Sequence, residues 1–182
     1  MKTEFHTKRL YFRKLNESDA TKDYVDWLND SDVNQYLETR HEVQTIDSCR
    51  TFIQQCNLDS FSNLFGIFLK EDHQHIGNAK LGNVNLYHAR AELSLVIGAK
   101  SSWGKGLGKE VIRALTEYGF EQLGLKRIQA GCYEQNLQSL RVFLNCGYTV
   151  EGYFRNHVIV GERPSGCFWL GILKNEYIQG IR

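Results

Sequence analysis

Apolar positions along the chain change period several times, and each change marks an element. Residues 7–15 (Thr-Lys-Arg-Leu-Tyr-Phe-Arg-Lys-Leu) carry aromatic and β-favouring side chains and predict a first strand. Tyr24, Val25, Trp27 and Leu28 gather on one side of a helix that Ser18 or Asp19 can cap. Ile46, Cys49, Phe52 and Ile53 recur at helical spacing and predict a second helix from Thr45 or Asp47 to Cys56. Two strands follow, 64–70 and 75–87, joined by the polar turn Glu71-Asp72-His73-Gln74. A further strand, 91–97, leads through a glycine-rich turn into a helix reaching Leu123. On that helix Leu107, Val111, Ala114, Leu115 and Tyr118 share a face, and Gly124 is its terminator.

The remainder alternates. A strand over 127–133 is followed by a short helix over 137–145, stopped at Gly147, then by strands 148–157 and 168–173, with Pro164 in the loop before the last. The order is βαα, then three strands, then αβαββ. It predicts an α/β fold with a mixed sheet of about seven strands and helices on both faces. Without repeats or low-complexity linkers, 182 residues of which 42% are hydrophobic fit one domain over 1–182.

The turn between strand 91–97 and its helix reads Trp103-Gly104-Lys105-Gly106-Leu107-Gly108. Glycines there let the backbone take positive φ and approach a ligand closely, while the unpaired amides of the helix's first turn point one way. Amides and helix dipole together suit a phosphate, and Lys105 and Lys109 add charge. No Gly-Lys-Ser/Thr follows and no G-x-G-x-x-G is present, which argues against a Walker loop and a Rossmann turn. Taken alone, the pattern also fits an ordinary strand-to-helix loop.

A net charge of +1 supplies no basic field of the kind that dominates nucleic-acid binding, so no nucleic-acid partner is expected. Apolar stretches are too short for a membrane span and the opening Met1-Lys2-Thr3-Glu4-Phe5-His6 has no signal-peptide apolar region, so a cytoplasmic protein is expected. The five cysteines, Cys49, Cys56, Cys132, Cys146 and Cys167, are scattered in mostly apolar runs and read as reduced core thiols. His73 and His75 lack a third ligand type nearby, so no metal is expected.

Read in order, several motifs resemble the GNAT superfamily of acetyl-CoA-dependent N-acetyltransferases, in its RimJ/RimL-like branch. They are Thr7-Lys8-Arg9-Leu10-Tyr11-Phe12-Arg13, Ile76-Gly77-Asn78-Ala79, Ala91-Glu92-Leu93-Ser94, the glycine turn, Asn136-Leu137-Gln138-Ser139 and Asn145-Cys146-Gly147-Tyr148. The resemblance covers nearly the whole chain; Trp103 stands where Gln or Arg is frequent. It implies a GNAT-like sheet splayed between its fourth and fifth strands, and acetyl-CoA as co-substrate. By the same resemblance Val96, Ile97 and Gly98 pair with the pantetheine arm. The amides of Gly104, Lys105, Gly106, Leu107, Gly108 and Lys109 hold the pyrophosphate, and Asn136 binds the cofactor arm.

The implied reaction is direct attack of a primary amine on the acetyl thioester. An alkylamine is mostly protonated at pH 7, so a base must take its proton, and the thioester carbonyl must be polarised. Glu92 matches a glutamate frequent in the branch and is the first candidate for the base; a surface pair with Arg90 or Lys80 is the structural alternative. Glu134 is a second candidate, or a helix cap. Many members carry a tyrosine four residues beyond Ser139, where this chain has Phe143, which leaves Ser139 as the candidate acid and Tyr148 as a core residue. The Phe143 departure also lends weight to a non-catalytic acetyl-CoA-binding sensor or scaffold as the alternative function.

The acceptor is expected to be a small-molecule amine or a protein N-terminus. A looser resemblance, over 76–85 and 151–157, is to members that acetylate nucleotide-linked amino-sugars, with Arg155, His157 and Lys80 near a diphosphate. Trp27, Tyr36, Tyr87, Phe154 and Trp169 are expected to be mostly core, with some lining the acceptor site. Cys132 and Cys146 lack a His–Asp partnership and are not read as nucleophiles. The chain is expected to be a monomer or a homodimer.

Overall fold

The computed structural model describes residues 4–180, so Met1–Thr3 of the opening segment lie outside the described residues. Its strands are β1 (Glu4–His6), β2 (Leu10–Lys14), β3 (Asn63–Leu69), β4 (His75–Asn85), β5 (Arg90–Ile97), β6 (Arg127–Tyr133), β7 (Thr149–Val160) and β8 (Arg163–Leu173). They lie in one sheet in the order β1-β2-β3-β4-β5-β6-β8-β7. Every neighbouring pair is antiparallel except β5 and β6, which α4 (Leu107–Glu121) connects as a crossover. The other helices are α1 (Lys22–Asn29), α2 (Ser31–Asn34), α3 (Ile46–Leu58), α5 (Leu137–Leu144) and α6 (Lys174–Gly180).

Strand alternation sends side chains to two cores. Leu10, Phe12, Phe65 and Ile67 join Val111 and Leu115 of α4 and Phe143 of α5 on one face. Leu15, Leu64 and Phe68 meet Tyr24 and Leu28 of α1 and Cys49, Ile53 and Cys56 of α3 on the other. A one-residue slip would exchange the two sets, which is why the register is firm.

The structure corrects the sequence expectation in several places. The sheet has eight strands among the described residues, because Glu4–His6 adds a β1 too short to show a period. Thr21, not Ser18 or Asp19, caps α1; the Asp19 carboxylate is committed to Arg13 at 2.6 and 2.7 Å. Pro164 lies in β8 opposite Ile159, where β8 has β7 but not yet β6 as a neighbour and a missing N–H is tolerated. Of the five aromatics expected to be mostly core, none is fully buried, and Tyr87 is 92% exposed.

The feature that positions a site is the parting of β5 from β6. They pair only at Arg90 with Arg127, Ala91 with Ile128 and Glu92 with Gln129. Beyond these, β5 keeps β4 beside it out to Ile97, and β6 keeps β8 out to Tyr133. These are the fourth and fifth strands of the sequence reading, splayed as expected.

Candidate active site

The glycine turn sits at the mouth of the parting. Gly104 and Gly106 both have φ +72°, which an L side chain rarely adopts, and Gly106 opens α4 without any side-chain cap. A Cβ added at Gly104, Gly106 or Gly108 would meet nothing within 4 Å. Packing therefore does not require glycine at these positions; conformation does at 104 and 106. The uncapped first turn of α4 and the bare backbone before it fit a phosphate group.

Two anchors hold the turn. The Trp103 indole donates to the Ile97 carbonyl (2.8 Å), tying the turn to the end of β5. The Arg9 guanidinium donates to the Lys105 carbonyl (2.8 Å) through Nη1 and to Glu110 (2.7 Å) through Nε. Glu110 also accepts from the Thr7 hydroxyl (2.6 Å) and the Arg9 amide (2.9 Å). Burial alone would raise the Glu110 carboxyl, but these donors outweigh it and hold it below the ordinary carboxylate value. A cleft of about 360 Å³ lies here, its lining including Arg9, Gly106, Lys109 and Arg113. Leu107 buries its side chain in the core, which leaves only its backbone to the turn; Lys105 and Lys109 are exposed.

At the tip of β5 some backbone groups are already engaged. The Gly98 amide donates to the Ile76 carbonyl (2.8 Å) and the Ile97 carbonyl takes the Trp103 indole. Gly98 is glycine because Trp27 packs against it: a Cβ would lie 2.2 Å from the indole. Val96 pairs with Asn78 on the β4 side of β5, and on the other side the pairing with β6 has already ended at Glu92.

Glu92 lies at the last paired position of β5, half-buried, and accepts from the Asn83 amide (3.1 Å). Lys80, one of the cations considered for it, instead lies over the Phe52 ring (5.4 Å). Glu134 accepts from the Tyr153 hydroxyl and the Gly166 amide, which hold its carboxyl below the ordinary value and leave it a poorer base. Asn136, not Glu134, caps α5: its carbonyl accepts the Ser139 amide (3.1 Å), which commits that oxygen within the chain. The Ser139 hydroxyl accepts from the Cys132 thiol (3.1 Å), so its own proton is left to donate. Phe143 is buried edge-on against Tyr148, whose hydroxyl pairs with Thr116 at 2.8 Å in the core, as expected for Tyr148. Burial pushes the Cys132 and Cys146 thiols up, away from nucleophilic chemistry.

Sequence reasoning missed a cluster at the splayed end of β6. The Tyr133 hydroxyl donates to the Glu38 carboxylate and accepts from Arg40 (3.0 Å). Arg40 also donates to the Leu37 and Ile159 carbonyls, at 2.7 and 2.8 Å, and its guanidinium lies over the Tyr133 ring. Strand parity puts Tyr133, Gln129, Glu92 and Trp169 on one face, where Phe154 meets Trp169 edge-on. Tyr133 was legible only as a strand residue, because Glu38 lies 95 residues away. Among the described residues no group of three His, Cys, Asp or Glu is placed to hold a metal, and no helix is long and apolar enough to cross a membrane. His75 instead contacts the Gly77 carbonyl and Asn78.

A sheet that splays beside an uncapped, glycine-rich helix start is now joined by a match of residues 9–149 to the family model of the acetyltransferase (GNAT) domain. The chain belongs to the GNAT acetyltransferase family. Similar proteins include the uncharacterized N-acetyltransferase p20 of Bacillus licheniformis, 29% identical over 94% of this chain and 97% of that one. The spermidine N(1)-acetyltransferase of Vibrio cholerae is 27% identical over 62% of this chain and 65% of its own. A spermidine N-acetyltransferase of Vibrio cholerae solved with CoA and spermine has a TM-score of 0.85 at 21% identity, covering 94% of this chain and 99% of that one. That likeness shows the shared GNAT fold. This GNAT protein is an acyltransferase, of the N-acetyltransferase kind.

Proposed function

We propose that the chain, as one domain over 1–182, transfers an acetyl group from acetyl-CoA directly to the primary amine of a small molecule. The observation that carries this reading is the parting of β5 and β6 next to the uncapped, glycine-rich start of α4. The two features suit the two halves of coenzyme A: amides of a strand flank for pantetheine, and helix amides for the diphosphate. The Gly104–Lys109 backbone holds the diphosphate, and the open flank of β5 around Val96 receives the arm. The relative named as a spermidine N(1)-acetyltransferase supports a small-molecule amine; the narrower reading is the nucleotide-linked amino-sugar. The motifs resemble those of the RimJ/RimL-like branch, and free thiols, buried at Cys49, Cys56, Cys132 and Cys167 and partly buried at Cys146, suit the cytoplasm.

In this mechanism Glu92, held by a neutral amide rather than a cation, takes the amine's proton directly or through water. The Ser139 hydroxyl, whose oxygen is occupied by the Cys132 thiol, donates its proton toward the departing sulfur. A thiolate leaves readily, so a hydrogen bond suffices where a stronger acid is lacking. The test is release of free thiol from acetyl-CoA across nucleotide-linked amino-sugars, polyamines, aminoglycosides and peptides with Ser or Ala N-termini. Amine-dependent thiol release with a small molecule is expected. Turnover confined to the peptides would overturn the small-molecule acceptor, and binding of acetyl-CoA with no turnover in any arm would favour a sensor.

A further inference from the structure

Glu110 is the acidic residue of the first turn of α4, the turn assigned above to the diphosphate. An acid there is at odds with an anion site. The helix dipole that favours phosphate also favours this carboxylate, and the two negative charges repel each other. Glu110 lines the same cleft as Gly106 and Lys109, and the structure surrounds its carboxylate with donors: the Thr7 hydroxyl, the Arg9 amide and the Arg9 Nε, at 2.6 to 2.9 Å. The same guanidinium reaches past Glu110 to the Lys105 carbonyl at 2.8 Å, a residue flanked by Gly104 and Gly106. Without a side chain at either glycine, the turn's conformation rests on such external ties.

We propose that Arg9 is a positioning residue for acetyl-CoA binding: it neutralises Glu110 at the start of α4 and fixes the backbone of the glycine turn through Lys105. The inference rests on the reading of the turn as the diphosphate site. Arg9 lies between β1 and β2, about a hundred residues before the turn, so its role is carried by the fold and not by the motif. Glu110 is the more enclosed partner, with 15% of its side chain exposed against 44% for Arg9. Loss of Arg9 therefore leaves a carboxylate that water solvates poorly, at the turn where an anion is to bind.

The test is calorimetric titration of acetyl-CoA into the wild type, Arg9→Ala, Arg9→Ala/Glu110→Gln and, as a control for the turn, Gly106→Glu, at low and at physiological salt. Arg9→Ala is expected to weaken binding by roughly tenfold, the scale of one charge-assisted contact. In turnover with an accepted amine, KM for acetyl-CoA should rise more than kcat falls. The double variant is expected to recover the part of the affinity lost to the uncompensated Glu110 charge, and the deficit of Arg9→Ala should shrink as salt rises. Loss of the Lys105 tie alone predicts no recovery, since that tie is absent from both variants; a double variant no better than Arg9→Ala overturns the neutralising role of Arg9. Wild-type affinity in Arg9→Ala with binding lost in Gly106→Glu also overturns it while leaving the diphosphate reading intact. Unchanged affinity in Gly106→Glu overturns that reading itself. If Arg9→Ala does not fold, Arg9→Lys keeps the charge but cannot make the Nε and Nη1 bonds together. It is expected to bind more weakly than the wild type at physiological salt, and wild-type affinity there would count against the backbone tie.

Discussion

Three glycines in one turn have different reasons to be glycine. Gly104 and Gly106 need positive φ, whereas Gly108 has no such need and a Cβ on it would touch nothing in the chain. Replacing it by Ala in the first turn of a helix should stabilise the fold by about 0.5–1 kcal/mol, since Gly loses more backbone freedom on folding. If the open side of Gly108 faces the diphosphate, the same change should weaken acetyl-CoA binding. A raised Tm together with a raised Kd is the expected pair, and unchanged affinity would argue that the ligand lies elsewhere. At this scale the turn was legible because glycine declares its own conformational purpose. Glu92 and Ser139 were singled out through motif resemblance, but the partners the structure gives them were not. Asn83 reaches Glu92 from a left-handed position at the irregular end of β4, and Cys132 reaches Ser139 across β6 and α5. Arg9 with Glu110, and Tyr133 with Glu38, join residues 101 and 95 positions apart, a distance at which one dimension carries no signal.

Strands and helices with a sustained period were read nearly to their ends; β6 and α5 show this, as does α3, capped by Thr45. The elements that escaped had no period to show. The four-residue α2 is one, and α6 is another, because it follows β8 without a break. The splay itself arises between elements, from β5 holding to β4 while β6 holds to β8. Gly77 permits the first of these, because a Cβ there would lie 2.1 Å from the Val96 carbonyl. Gly77→Ala should therefore push β5 away from β4 at the candidate cofactor flank. A stability loss of about 3 kcal/mol in denaturant titration is expected, with acetyl-CoA affinity falling in the folded fraction. A variant as stable as the wild type would mean that the β4–β5 contact is less tight than the structure has it.

Across the molecule, ion pairs tie elements together over very different spans of sequence: Arg13 with Asp19 over 6 residues, Arg127 with Glu151 over 24 and Arg9 with Glu110 over 101. The carboxyls all sit below their ordinary values. For Asp19 and Glu110 burial pulls the other way and is outweighed by hydrogen bonds; for Glu151 the Arg127 bond leads. A folded-state pKa below the unfolded one gives stability that is present above the ordinary carboxylate range and lost as pH falls through the lowered values. Unfolding free energy should therefore drop on going from pH 7 to pH 3, and Asp19→Asn, already lacking one such term, should show a smaller drop. An equal drop in both proteins would place the acid sensitivity in other groups. The two-core layout followed from strand parity and was anticipated as helices on both faces. That Glu92, Tyr133 and Trp169 share a face needed the register.

The role proposed for Glu92, at the point where the sheet parts, is to deprotonate the acceptor amine. The direct measurement is kcat for thiol release by the wild type and by Glu92→Gln, with the best acceptor of the amine panel at saturating acetyl-CoA, over pH 6 to 9. Loss of the base should lower kcat by roughly 10²–10⁴-fold at pH 7 with acetyl-CoA affinity retained, and higher pH should narrow the gap as the amine deprotonates unaided. A Glu92→Gln enzyme that keeps wild-type kcat across that range would show that Glu92 is not the base.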